Sequence, residues 1–324
     1  MTVPVILDVD TGVDDALALL FAARHPRLEL RAVTCVAGNA AVYQVVTNTL
    51  TVLDAAGASH VPVARGAARP LVGAPLPARH VHGSDGLGDL GWLPSTRPAD
   101  PRHAVELLRD ELTARPPVTL VALGPLTNIA LLLRTYPEVT AGIERFVFMG
   151  GSVLRSNATA AAEFNVWQDP EAAAVVLDAL AAGSTPVTMY SLDVFYGPLA
   201  TARDADRLAG LGDPGAQLAA GLLRFGFTRY GTDTATIGDA GAVCAVAEPA
   251  GLHTQRLPVR VELAGTWTRG QTVVDQRTWQ PDHDNDPHGM APARVDVALG
   301  VDGPRYVELW RSTVGGADGA LSAP

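Results

Sequence analysis

Short apolar runs alternate along the chain with segments whose apolar positions recur at helical spacing. Val3-Pro4-Val5-Ile6-Leu7 leads into Asp8-Val9-Asp10-Thr11-Gly12-Val13-Asp14-Asp15, and Ala16–Phe21 follows, a pattern that predicts a strand, a tight turn and a helix. Leu28–Ala37 predicts a second strand ending at Gly38-Asn39, then a helix over Ala40–Ala56 with Val42, Val45, Val46, Leu50 and Leu53 on one side. Val61-Pro62-Val63 predicts a short strand, and residues 66–100 a long Gly- and Pro-rich loop. Helices are expected over Arg102–Ala114, Leu126–Arg134 and from Asp169-Pro170-Glu171 to about Ala182. Strands are expected over Val118–Leu123, Arg145–Met149 and Pro186–Tyr190, with a polar loop at 152–168. Residues 198–250 read as mostly helical, including an apolar helix over Ala240–Ala247. Strands at Val259–Leu263, Thr272–Val274 and Arg294–Leu299 and a helix near Arg305–Thr313 complete the pattern.

This alternation predicts an α/β fold, with an open, mainly parallel central sheet flanked by helices around a Rossmann-like core. No repeat or change of composition divides residues 1–324, so one domain is expected. Ligands of such sheets bind outside the strand C-termini. That rule gathers Asp10, Asn39, Leu123, Met149 and Asp193 along one rim.

Composition narrows the chemistry. Hydrophobic residues make up 48% of the chain and charged residues 18%, enough apolar material for a large core. A net charge of −10 without a basic block argues against nucleic acid and against an anionic membrane surface as partners. All 24 basic residues are arginine, which excludes a P-loop lysine, a Schiff-base lysine and a lysine general base. Cys35 and Cys244 lie in apolar stretches and form no paired motif. Together with a first strand that begins at once and no run of membrane-spanning length, they lead to the expectation of a cytoplasmic protein.

Four carboxylates within Asp8–Asp15 read either as an N-cap with solvated acids or as a set compensated by a cation or polar substrate. Asn39, the group Asn157, Glu163 and Asn165, and Gly238-Asp239 before the helix at Ala240 fall near the same rim. An all-oxygen set suits a hard cation, Ca²⁺ or Mg²⁺, better than zinc, and carboxylates with amides suit a polyol.

These residues resemble the inosine–uridine nucleoside hydrolase family. The resemblance is carried, in order, by Asp8–Asp15 with Ala16, Val36-Ala37-Gly38-Asn39, His82-Gly83 with Gly86-Leu87, Gly124-Pro125-Leu126-Thr127-Asn128, Met149-Gly150-Gly151, Ala162-Glu163-Phe164-Asn165 with Asp169-Pro170-Glu171-Ala172, and Asp239-Ala240. It implies hydrolysis of the N-glycosidic bond of a ribonucleoside, with a nucleoside as the small-molecule partner and a homodimer or homotetramer as the assembly. It implies Ca²⁺ held by Asp10, Asp15, Asp239 and the carbonyl of Leu123, with Asp10 taking a proton from water. By the same resemblance Asp14 binds ribose hydroxyls, Asn39 orients water and ribose, Asn157, Glu163 and Asn165 complete the ribose clamp, Met149 packs beneath the sugar, and His82 lies near the base.

One position departs from the family. Many members carry a histidine immediately before the last calcium aspartate, where it assists the leaving base; here that residue is Gly238. Three accounts stand: another donor, with Tyr230, Arg229, His82, His283 and His288 as candidates in that order; departure of a base that is stacked or solvated rather than protonated; or a preferred substrate other than an ordinary nucleoside. A solvated turn competes with a metal site for His283 and His288, solvation competes with base binding for His82, and packing competes with base stacking for Trp167 and Trp279. Two other enzyme or metal readings fit less well. A haloacid-dehalogenase-type phosphatase wants Gly-Thr where this chain has Thr11-Gly12, and a distal lysine that is absent. An EF-hand wants its turn glycine one position later. A ribose- or nucleoside-binding protein without hydrolytic activity is the remaining alternative.

Overall fold

In the computed structural model, residues 2–114, 117–181, 183–278 and 292–316 are described. The chain begins with β1 (Val3–Val9), α1 (Val13–Arg24), β2 (Leu28–Cys35), α2 (Val42–Ala55) and β3 (Val63–Arg65). The long loop that follows holds one short turn of helix, α3 (Arg79–His82), before α4 (Ala104–Ala114). Next come β4 (Val118–Ala122), α5 (Thr127–Thr135), β5 (Ile143–Met149), α6 (Phe164–Gln168), α7 (Pro170–Ala181) and β6 (Val187–Tyr190). The remainder comprises α8 (Leu192–Phe195), β7 (Leu199–Thr201), α9 (Ala202–Ala209), α10 (Pro214–Tyr230), β8 (Thr234–Thr236) and α11 (Ala240–Ala247). It closes with β9 (Leu252–Val261), β10 (Thr272–Val274), β11 (Ala293–Val301) and α12 (Gly303–Val314).

Nine strands form one sheet in the order β10-β9-β11-β6-β5-β4-β1-β2-β3. From β11 to β3 all neighbours are parallel, and β9 runs antiparallel to both β11 and β10. The expected mainly parallel, helix-covered sheet is therefore present. Val5, Ile6 and Leu7 of β1 are fully buried because helices cover both faces of the central strand. One apolar core gathers side chains of α1, α2, α10, α11 and α12; the other gathers those of α4, α5 and α7.

The chain builds outward from β1 through β2 and β3, then returns to the other side of β1 with β4. This reversal leaves a crevice at the C-terminal ends of β1 and β4, where loops diverge to opposite faces. Asp8 lies opposite Thr34 of β2 and Ala122 of β4, so the acid stretch and Leu123 emerge side by side.

Several boundaries differ from the sequence pattern for physical reasons. β9 begins at Leu252, well before the expected Val259, because its first half carries exposed His253, Thr254, Gln255 and Arg256 and lacks an apolar signal. The expected polar loop at 152–168 ends in α6, capped by the carboxylate of Glu163. The helical region 198–250 contains the antiparallel pair β7-β8. Asp193 does not join the other rim acids: it accepts backbone N–H groups from Val153, Leu154 and Arg155 at 2.6–3.1 Å and so shapes the loop after β5. Trp279, His283 and His288 lie outside the described residues.

Candidate active site

The tight turn after β1 is closed by its own side chains. Asp15, in the first turn of α1, accepts the N–H of Asp10 at 3.2 Å on one oxygen and that of Gly12 at 2.9 Å on the other. Asn39, at the end of β2, donates its backbone N–H to Asp10 Oδ2 at 2.7 Å and its side-chain amide to Asp15 Oδ2 at 3.3 Å. Asp10 Oδ1 and Asp14 Oδ1 are buried and have no hydrogen-bond partner. From across the crevice, Asp239 enters just ahead of α11. One carboxylate oxygen from each of Asp14, Asp15 and Asp239 lies within 4.8 Å of the others.

Burial dominates the electrostatics of this group. Asp10, Asp15 and Asp239 are 0–3% exposed, and no arginine forms a salt bridge with them among the described residues. Loss of hydration and mutual repulsion push the Asp10 and Asp239 carboxyls well above the carboxylate range and Asp15 up to about 7. Three buried acids and two unpartnered oxygens, with no arginine paired to them among the described residues, make a donor set that a positive ion would satisfy. The bland reading of the stretch, an N-cap with solvated acids, does not hold for Asp8, Asp10 and Asp15, all of which are fully buried.

Asp8 faces the protein. Its Oδ1 accepts Thr34 Oγ1 at 2.6 Å and Asn128 Nδ2 at 2.7 Å, and burial raises its carboxyl to about 7. Asn128 also donates to the carbonyl of Cys35 and accepts the N–H of Ala67. The two residues thus tie β1, β2 and the start of the long loop together.

The second wall comes from β4, β5 and α6. Asn165 Nδ2 donates to the Leu123 carbonyl at 2.7 Å and to the Met149 carbonyl at 3.1 Å, and it lies 3.4 Å from Met149 Sδ. Glu163 accepts the N–H groups of Asn165, Gly151 and Val166 at 2.8–3.1 Å. Its carboxyl rises to about 7 because burial outweighs those three donors. In this structure Glu163 therefore organises the Gly150-Gly151 turn as well as facing the acids.

The mouth is lined by His82, Asn157, Tyr196 and Tyr230. His82 is buried, which excludes the solvated alternative; its Nδ1 accepts the Val13 N–H at 3.2 Å and lies 3.7 Å from Asp14 Oδ1. Burial holds the imidazole below its ordinary pKa, so the ring is neutral with its proton on Nε2. Asn157 is exposed; it accepts the Phe164 N–H and is hydrogen-bonded to the Tyr196 hydroxyl. Tyr230 is 63% exposed, and burial of its hydroxyl beside the Asp14 charge raises its pKa. Tyr196 carried no sequence signal, since nothing in Val194-Phe195-Tyr196 marks a ligand contact. Trp167 is half-buried and packs against Phe164 and the Gly270 turn.

The departure at Gly238 has a structural cause. Its φ is +53°, in the left-handed region. A Cβ there would lie 2.7 Å from Asp14 Cβ and 2.8 Å from Phe195 Cζ. The phenyl ring of Phe195 fills the space that a side chain at position 238 would occupy.

A mainly parallel sheet with a carboxylate-lined crevice at its switch point defines a protein of the α/β class with its ligand site outside the strand ends. A profile of the family described as inosine-uridine preferring nucleoside hydrolase matches residues 5–308. An inosine-uridine preferring nucleoside hydrolase of Leishmania major is 40% identical over 283 residues, 86% of this chain and 89% of that protein. A pyrimidine-specific ribonucleoside hydrolase of Photobacterium profundum is 40% identical over 283 residues, 85% of this chain and 90% of that protein. The solved purine-preferring ribonucleoside hydrolase from Gardnerella vaginalis superposes with a TM-score of 0.86 at 29% identity, covering 96% of this chain and 98% of that one. The chain belongs to the inosine-uridine preferring nucleoside hydrolase family, and it is a nucleoside hydrolase acting on N-glycosyl bonds.

Proposed function

We propose that this enzyme hydrolyses ribonucleosides to ribose and free base with Ca²⁺ as its metal. The observation that supports this reading is the pair of buried, unpartnered oxygens, Asp10 Oδ1 and Asp14 Oδ1, beside the convergent carboxylates of Asp15 and Asp239. Asp10, Asp15, Asp239 and the Leu123 carbonyl would hold the ion, with Asp14 close enough to share it or to face ribose. Oxygen-only donors favour a hard cation, and the flexible coordination of Ca²⁺ tolerates ligands from three separate segments. When bound, the cation supplies the positive charge that acidifies water in the crevice.

In this reading Asp10 takes the proton from that water. Burial and the neighbouring Asp15 charge raise the proton affinity of its carboxylate. Asn39, fixed by two hydrogen bonds, orients the water and the sugar. Asp14, Asn157, Glu163 and Asn165 accept or donate to ribose hydroxyls, Met149 packs beneath the ring, and the surrounding carboxylates stabilise the oxocarbenium character that develops as the bond to the base breaks. Selection of ribose over deoxyribose follows from groups that lose a partner when the 2′-hydroxyl is missing. The relatives' names divide between purine and pyrimidine preference, so both base classes are to be assayed.

Chelation tests the metal. Protein treated with EGTA is expected to release no reducing sugar from inosine, uridine, cytidine or adenosine, and added Ca²⁺ to restore release better than Mg²⁺. The same addition should raise the unfolding free energy by about 2.7 kcal/mol at a hundredfold excess over Kd. Full activity in EGTA, or restoration by Mg²⁺ alone, would reject Ca²⁺.

For the leaving base, we propose Tyr230 as the proton donor. Its hydroxyl lies in the field of Asp14, whereas the Arg229 guanidinium is taken up by the carbonyl of His80. Tyr230→Phe is expected to lower kcat at least about tenfold with the affinity for a ribose analogue retained. An unchanged kcat would eliminate Tyr230 from this role.

The assembly is proposed to be a homodimer or homotetramer, supported by the exposed apolar side chains Leu93, Leu154 and Trp267. No helix among the described residues is long and apolar enough to cross a membrane. A cytoplasmic location is supported by Cys35 and Cys244, both buried free thiols. The whole chain is proposed to act as one catalytic unit.

A further inference from the structure

The loop that carries His82 lies against one stripe of α10. Gly221, Phe225 and Arg229 are spaced four residues apart, so they share a face of that helix. Each meets the loop at a different point. Leu90 packs onto Gly221, where a Cβ would come within 2.9 Å of Leu90 Cδ1. Gly88 lies against the ring of Phe225, where a Cβ would come within 2.8 Å of Cγ. At the end of the stripe Arg229 donates both Nε and Nη2 to the carbonyl of His80, the first at 2.8 Å.

The last contact differs in kind from the other two. Two N–H groups of one charged fork converge on a single carbonyl, and Arg229 forms no salt bridge among the described residues. The acceptor belongs to α3, one turn long, with His82 two residues further on. His82 in turn takes the Val13 N–H and faces Asp14. On the other side Arg229 adjoins Tyr230, the last residue of α10. A single side chain thus joins the two segments that bring His82 and Tyr230 to the mouth.

We propose that Arg229 is a positioning residue for the reaction: it latches the His82 loop to the end of α10 and so sets the spacing between the groups on either side of the nucleoside. This rests on the reading that Asp14, His82 and Tyr230 line the substrate site. Gly221 and Phe225 hold the far part of the loop by apolar contact, and Arg229 fixes the near part through directional bonds. Lysine keeps the charge but cannot present a rigid two-pronged donor, so it is not equivalent here.

The test compares wild type, Arg229→Ala, Arg229→Lys and His82→Asn by steady-state kinetics with inosine and uridine and by amide hydrogen exchange of the Ca²⁺-loaded enzyme. In R229A, exchange within residues 78–90 is expected to accelerate about tenfold while β1, β4 and β5 are unchanged. KM is expected to rise about fivefold with a smaller change in kcat, because Asp10 is held by the Asn39 N–H and by Asp15 rather than by residues of the loop. R229K should recover less than half of either effect. Unchanged exchange in R229A, accelerated exchange with unchanged KM, or full recovery by R229K would each overturn the latch. If the substrate reading were at fault instead, H82N would leave KM unaltered while R229A still accelerated exchange.

Discussion

Asp10→Asn is expected to lower kcat by about 10³-fold while changing KM by less than about threefold. The substitution keeps the shape of the side chain, and its amide oxygen can still accept the Asn39 N–H that Asp10 Oδ2 accepts now. It removes a proton acceptor and one negative charge. The same variant should be more stable than wild type in EGTA. Burial and the neighbouring Asp15 and Asp14 charges all work against ionised Asp10, so a neutral isostere relieves a cost that the metal-free fold carries. Stability gained with activity lost marks a residue kept for chemistry. Thermal unfolding in EGTA and single-turnover release of ribose measure the two effects. A kcat within tenfold of wild type would remove Asp10 from the proton-transfer role.

Gly238→His introduces the residue that the family resemblance implies before Asp239, and activity is nonetheless expected to fall. A non-glycine residue at φ +53° costs on the order of 1 kcal/mol, and forcing a side chain into occupied space costs about 1–3 kcal/mol more. The atoms in the way are Asp14 Cβ and Phe195 Cζ. Relief by moving Asp14 would displace a carboxylate of the acid cluster, so kcat/KM should drop about 100-fold along with stability. Gly238→Ala separates the causes, because it introduces the strain without an imidazole. Both variants should unfold at lower temperature than wild type, and neither should exceed its kcat/KM. A more active G238H would mean that the Thr236–Asp239 turn relaxes freely and that Phe195 does not define this pocket.

Much of this site can be read along the chain because its parts sit at strand ends, where a change of pattern is conspicuous. The apolar run of β1 breaks abruptly into acids, and the apolar run that contains β2 gives way to Gly38-Asn39. The α/β alternation then implies a common rim. What cannot be read this way depends on convergence. Asp193 carries the same signal as Asp10, an acid just after a strand, yet three backbone N–H groups claim it. Glu163 holds the turn after β5 through the Gly151 N–H while also facing the acids, a double duty that no strand-end signal shows. Tyr196 reaches the mouth only because α8 is a single turn long and returns the chain toward Asn157. The first half of β9 escapes notice because a polar strand can be held by its neighbour's backbone alone.

The ring of bonds around the first turn bears on how fast and how selectively a ligand is taken up. Asp15 is clamped by the N–H groups of Asp10 and Gly12, and Asp10 by that of Asn39. These carboxylates are held by bonds within the protein itself, so the entropy of assembling them is lost during folding rather than at each encounter. Preorganisation of this kind leaves little freedom to contract around a smaller ion. It therefore favours cations that accept a preset spacing over those that impose their own. It also confines whatever adjustment accompanies substrate entry to the opposite wall, where Tyr196, Tyr230 and the loop at His82 meet solvent.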